Sequence, residues 1–241
     1  MFRNLFVAAV LAALCAGLVF SIVQSFRLTP LILAAETYEV PEEPVAATTT
    51  EHAAAGRDAV EWMPQEGFER TAYTILANFL TAAGYALLIG AASVILGIPI
   101  TAANGLLWAA AGFSAFMLAP SFGLPPGLPG MPVANTLARQ MWWWTTALST
   151  AAALVLLAKN RAAWAIGVAA ALIVAPHLIA APQPPADPSA VPPRLAGNFV
   201  AAVLFASAAM WAVLGLSFGW ISDRLTARAR TSAPATAKAH A

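Results

Sequence analysis

Charge is what this sequence has least of. Of 241 residues only 10% are Asp, Glu, Lys or Arg, 60% are hydrophobic, and the mean hydropathy is +0.74. A soluble globular domain carries about 25% charged residues, so a soluble fold could not hide this much apolar surface. Cysteine is almost missing: the single Cys15 excludes an intrachain disulfide and a multi-thiolate metal site within one chain. Lying in an apolar run, it reads as a small packed hydrophobe. Histidine is scarce as well, and of the three only His177 falls in an apolar segment. A haem held by two histidines of this chain is thereby excluded. No Gly-x-x-x-x-Gly-Lys-Ser/Thr loop and no His-Glu-x-x-His pair occurs, which removes P-loop ATP hydrolysis and the zinc-protease route. The expectation is therefore a protein that is not an enzyme, has no permanently bound cofactor and takes no nucleic acid as partner.

What is present is long apolar runs. A spanning helix needs about 20 largely apolar residues to cross a hydrocarbon core about 30 Å thick, and six segments qualify, at about 5–23, 71–96, 101–119, 141–158, 162–181 and 195–221. Backbone groups in lipid must be satisfied internally, so runs of this length read as helices, and none alternates with the period of two that marks a barrel strand. The fold class is an all-α integral membrane protein of about six transmembrane helices, one polytopic domain over residues 1–230, with a disordered tail over 231–241. Arg3 and the apolar stretch after it resemble a signal peptide, yet the run continues past Cys15 to Val23, beyond a typical signal core of about 7–15 residues. It reads as an uncleaved first span. No internal repeat is convincing.

The polar residues are unevenly placed. Nine of the eleven acids (Glu36, Glu39, Glu42, Glu43, Glu51, Asp58, Glu61, Glu66 and Glu69) fall in one stretch, predicting a long acidic outer loop over about 36–70 with little capacity for a core of its own. Proline and glycine interrupt the chain again at 120–132 and 182–193. With an even number of spans both termini share a side. That side holds Arg3, Lys159, Arg161, Arg224, Arg228, Arg230 and Lys238, with Asp223 as its one acid. The excess of Lys and Arg makes it cytoplasmic and sends the acidic loop outward, as for a multi-pass protein of a bacterial inner membrane. Trp142, Trp143 and Trp144 then fall at the outer boundary and read as belt residues.

On this arrangement several ionisable groups collect at the outer face. Glu36 and Glu39 follow the first span at i, i+3 spacing, Glu69 and Arg70 precede the second, Arg139 and Gln140 precede the fourth, and His177 lies near the outer end of the fifth. Carboxylates with one imidazole suit a divalent cation such as cobalt, nickel or zinc, and charged groups that persist at membrane depth usually mark a pathway. Glu36, Glu39, Glu69 and His177 are the candidate metal ligands, with Asn78, Asn104, Arg139 and Gln140 as pathway or gating candidates. Plainer roles stand beside these. His177 and Arg139 would serve as headgroup anchors, Glu69 as a favourable first-turn acid, and the amides as interhelical hydrogen-bond formers. The Ala, Gly and Ser of the first and sixth spans suit close helix packing.

Six blocks in order carry a family resemblance: Pro30-Leu-Ile-Leu-Ala-Ala-Glu36-Thr-Tyr-Glu39, Gly67-Phe-Glu69-Arg70 running to Asn78, Asn104-Gly-Leu-Leu-Trp108 running to Phe116, Gly123-Leu-Pro-Pro-Gly-Leu-Pro-Gly130, Arg139-Gln-Met-Trp-Trp, and Ala175-Pro-His177 running to Pro184. Together with the opening Met-Phe-Arg they cover nearly the whole chain, which resembles CbtA, a membrane subunit of a bacterial cobalt transporter. The resemblance implies a permease subunit for uptake of cobalt(II), feeding cobalamin synthesis. It also implies a small single-span, histidine-rich partner similar to CbtB that contributes metal ligands. Two alternatives remain at this stage: a non-transporting assembly or sensing subunit of a metal uptake system, and a permease for nickel or a corrinoid.

Overall fold

Each apolar run becomes a helix. The computed structural model describes residues 2–38, 64–65, 67–186 and 188–231, and these form six helical bodies with no strand among the described residues. They are α1 (Phe2–Glu36), α2 (Phe68–Leu96), α3 (Gly105–Ser121), α4 (Thr136–Lys159), α5 (Ala163–Ile179) and α6 (Pro193–Thr231). Of these, α1, α2, α4 and α6, at 35, 29, 24 and 39 residues, are long and apolar enough to cross a membrane. The other two are shorter; α5 has 17 residues, about 25 Å of rise. Large apolar side chains cover the outer surface, with Ile95 at 82% and Leu178 at 79% exposure. Water does not tolerate such a surface over a whole molecule; lipid does. The chain is a membrane protein.

The helices run alternately up and down. At one end Glu36 meets Arg70, closing α1 onto α2, and the Trp142 indole donates to the Pro176 carbonyl, joining α4 to α5. At the other end Lys159 Nζ donates to the Leu96 carbonyl at 2.7 Å, and Asp223 accepts the Ala102 N–H at 2.8 Å. These ends are called acidic and basic below. In cross-section α1 lies between α2 and α6, α6 also packs on α3, and α4 packs on both α3 and α5.

Small residues set how closely these helices approach. Ala8, Ala9, Ala12, Ala13, Ala16 and Gly17 form the buried face of α1, where short side chains let backbones come together, as membrane helix pairs require. Gly17 meets the ring and backbone of Phe79, and on α6 Gly215 and Gly219 lie against the backbones of Gly105 and Thr101. The composition of the first and sixth spans pointed to this packing. Cys15 departs from its expected role: it is exposed, because the alanine register of α1 leaves its position on the outward face.

Two helices run further than hydropathy suggested. α1 passes through a π-helical turn at Gln24–Leu28 and resumes at Thr29–Glu36. Pro30 has no N–H to give the carbonyl four residues back, and Thr29 instead donates to Gln24, five back. α3 repeats the device: Ala119 donates to Ser114 across the π-turn Ser114–Leu118, and Pro120 follows. α6 begins at Pro193 and extends to Thr231, with Arg224 lying 4.9 Å over the Trp220 ring near its basic end. Most of the acidic loop, including Glu39, His52 and Glu66, lies outside the described residues, as does the tail after Thr231.

Candidate functional site

α3, α4 and α5 line an open groove of about 700 Å³ towards the acidic end, with Ser114, Phe122, Trp142, Thr150, His177 and Gln183 among its lining residues. The π-turn of α3 places Ser114 on this wall. On α5, Pro176 lies within the last turn, and the helix stops at Ile179. The next residue, Ala180, has φ 67 and ψ 147, a backbone region nearly reserved for glycine, where an L residue is strained. Ala180 also lines the cavity, so the strain sits at its rim.

His177 is half-buried and stands in an aromatic corner. Its ring centroid is 5.6 Å from Trp142 and 6.2 Å from Phe122, both edge-on. Trp142 is 8% exposed, and its Nε1 donates to the Pro176 carbonyl at 3.2 Å. The same indole thus fixes the backbone before His177 and walls the imidazole. The expectation that Trp142 belongs to an interfacial belt is corrected here, because its N–H finds a buried partner across the α4–α5 seam. Trp144, at 53% exposure, faces outward.

The remaining candidates lie elsewhere. Arg70 grips Glu36 with both terminal guanidinium nitrogens, Nη1 at 3.3 Å from Oε2, a bidentate geometry that gives direction as well as attraction. Glu69, one residue before Arg70, accepts the Gln65 N–H at 3.1 Å and so braces the start of α2. Glu36 and Glu69 therefore flank the α1–α2 corner, while His177 belongs to the α3–α5 cavity. Among the described residues no three His, Cys, Asp or Glu side chains group closely enough to hold a metal ion.

Asn78 is buried and donates to Ser21 Oγ at 3.2 Å, tying α1 to α2. Asn104 organises the turn before α3, accepting the Thr101 N–H at 2.8 Å and donating to the Pro99 carbonyl at 2.9 Å. Arg139 and Gln140 lie in the first turns of α4, half-buried and exposed respectively. Thr150, Ser114 and Gln183 were not singled out from sequence. A signal did exist for Thr150, which shares a helical row with Trp142 and Thr146 at i, i+4, i+8.

A family model described as "Probable cobalt transporter subunit (CbtA)" matches residues 2–223. The chain belongs to the CbtA family. No curated protein and no solved structure matches it. The family is described as a probable cobalt transporter subunit; the groove of this chain carries one imidazole, hydroxyls, an amide and aromatic edges, with no carboxylate among its lining residues. One imidazole with scattered oxygens is too small a donor set to complete a tight coordination shell around a divalent cation.

Proposed function

We propose that this protein is the permease subunit of a bacterial inner-membrane system that takes up cobalt(II) in support of cobalamin synthesis. The observation that carries this reading is the cavity between α3, α4 and α5 with the His177 imidazole on its wall. Imidazole binds cobalt well, and a single protein nitrogen lets the ion leave again, which conduction requires. Glu36 and Glu69, at the same end of the molecule, add negative charge that raises the local cation concentration, and Glu39 is a further candidate ligand outside the described residues. The Arg70 pair offsets part of that charge. Arg139 and Gln140 stand at the start of α4 as gating candidates. The helix ends bearing Lys159, Arg161, Arg224, Arg228 and Arg230 face the cytoplasm together with both termini.

The family resemblance supports a small single-span, histidine-rich subunit of the CbtB type as the partner that contributes further metal ligands. The test is uptake of radiolabelled cobalt in cells making this chain with that partner, at matched membrane levels. His177→Ala should reduce uptake at low cobalt by about tenfold or more, the scale of one lost charge-assisted ligand contact. Glu36→Ala should reduce it less. Uptake indifferent to His177, or equal with and without this chain, rejects the reading. Competition by excess nickel and by a corrinoid separates cobalt from the other cargoes.

A further inference from the structure

α2 and α4 flank α3 without closing over it. α2 packs on α1, and α4 packs on α3 and α5. A second groove, of about 430 Å³, is left between them, with the buried Gly112 and Ala115 of α3 at its floor. Ala92 lines it from α2 and Ala151 from α4. Leu88, Leu107 and Leu148 also line it and are exposed, so it opens onto lipid. Asn104 and the Trp108 indole are its only polar side chains, and the Asn104 amide is already engaged with Thr101 and Pro99. The rest of the lining is hydrocarbon.

Its dimensions choose between occupants. On α4 the groove runs from Leu148 to Ala158, about 15 Å of rise and so about half of a hydrocarbon core about 30 Å thick. Spread over that length, the volume gives a mean cross-section of about 30 Å², roughly 6 Å across. A transmembrane helix is about 10–12 Å wide and needs the full depth. A single acyl chain from one leaflet fits both measures. The charge at the mouth agrees with that choice. The groove ends at the basic end, where Lys159 Nζ gives one hydrogen to the Leu96 carbonyl and keeps two further donors. Lys159 and Arg161 are both exposed there. Asp223, the one acid at this end among the described residues, accepts the Ala102 N–H. Trp108 stands one turn inside α3 at the same end, a depth at which indoles favour the headgroup boundary. Two cations at the mouth of an apolar groove complement a phosphate that carries an acyl chain.

We propose that the groove between α2, α3 and α4 is a site for one anionic phospholipid of the leaflet on the basic side, its acyl chain lying along Gly112 and Ala115 and its phosphate held by Lys159 and Arg161. The lipid completes the wall that the protein leaves open between α2 and α4. The site is separate from the groove that His177 lines and does not depend on the transport reading.

The test uses the full chain, purified in detergent and titrated with dioleoyl phosphatidylglycerol or dioleoyl phosphatidylcholine, which share acyl chains and differ in net charge. Native mass spectrometry counts the bound lipids and gives the affinity of the first. Wild type should hold one phosphatidylglycerol about fivefold or more tighter than phosphatidylcholine, the scale of one lysine or arginine at an anionic surface. Lys159→Gln removes the charge and keeps an N–H donor; it should weaken phosphatidylglycerol by about fivefold and leave phosphatidylcholine unchanged. Ala151→Phe fills the groove from α4 and should weaken phosphatidylglycerol by about tenfold or more, the contact of roughly two methylenes. Ala92→Leu fills it from α2 and decides the matter where Ala151→Phe does not yield monodisperse protein. Ala170→Phe, on an exposed position of α5, should bind as wild type does. Equal affinity for the two lipids in wild type overturns the proposal and leaves the gap to a protein partner. Phosphatidylglycerol binding that survives the groove-filling variants overturns it too, as does an equal loss in Ala170→Phe or a Lys159→Gln loss shared by both lipids.

Discussion

Replacing Gly215 by alanine tests the packing that holds the cavity walls in place. At the α3–α6 crossing, a Cβ on Gly215 would fall against the Gly105 carbonyl oxygen, 3.0 Å from the carbonyl carbon and 2.7 Å from the Ala109 Cβ. Most overpacking is relieved when a side chain changes rotamer, but here the obstacle is largely backbone, so the helices must separate. Overpacking in a dense interior costs about 1–3 kcal/mol, and a backbone obstacle places Gly215→Ala in the upper half of that range. A loss of about 2–3 kcal/mol reduces the folded-to-unfolded ratio by roughly 30- to 140-fold. For a chain of this size it lowers the melting midpoint by about 5–10 °C.

The control is Gly84→Ala on α2, where nothing lies within 4 Å of the added carbon. There alanine gains helix propensity of up to about 1 kcal/mol over glycine, and the midpoint should hold or rise slightly. Both variants are read by thermal denaturation in one detergent, following the monodisperse fraction. A Gly215→Ala protein that melts with wild type would refute the close-crossing account. So would an equal loss in Gly84→Ala, because the effect would then belong to glycine in general and not to the contact.

Two further substitutions address the cavity rim. Trp142→Phe keeps an aromatic wall but removes the donor to Pro176; the expected loss is about 1 kcal/mol of stability, with reduced cobalt uptake from a loosened α4–α5 seam, and unchanged melting together with unchanged uptake counts against the clamp. Ala180→Gly removes backbone strain of about 1–3 kcal/mol, offset by about 0.4–1 kcal/mol of added unfolded-state entropy, so the midpoint should rise, and a lower midpoint contradicts the strain assignment.

Much of this protein is legible from composition and spacing alone. A bilayer demands about 20 apolar residues with internally satisfied backbone, so six runs in the sequence became six helices, and their loops fell where proline, glycine and charge cluster. The order of the family blocks is linear information too, and it identified the CbtA family without coordinates. Helix ends were less legible. Hydropathy stopped the first span near Val23, whereas α1 continues to Glu36, because a π-turn absorbs the missing N–H of Pro30, and no apolar window reports on that.

The partners of polar groups were decided by tertiary structure. Sequence put Glu36, Glu69 and His177 at the same end of the molecule, but proximity around a bundle depends on which helix packs on which. The close α1–α2 seam of alanine and glycine brings Glu36 to Arg70, while α5 pairs with α4 and takes His177 to another wall. Trp142 left the expected belt because the Pro176 carbonyl lies across that same seam. Thr150 became conspicuous only in the packed structure, where its hydroxyl is buried without a hydrogen-bond partner. A one-dimensional pattern carries hydrophobicity and helical phase; hydrogen-bond competition and helix adjacency exist only once the chain has packed.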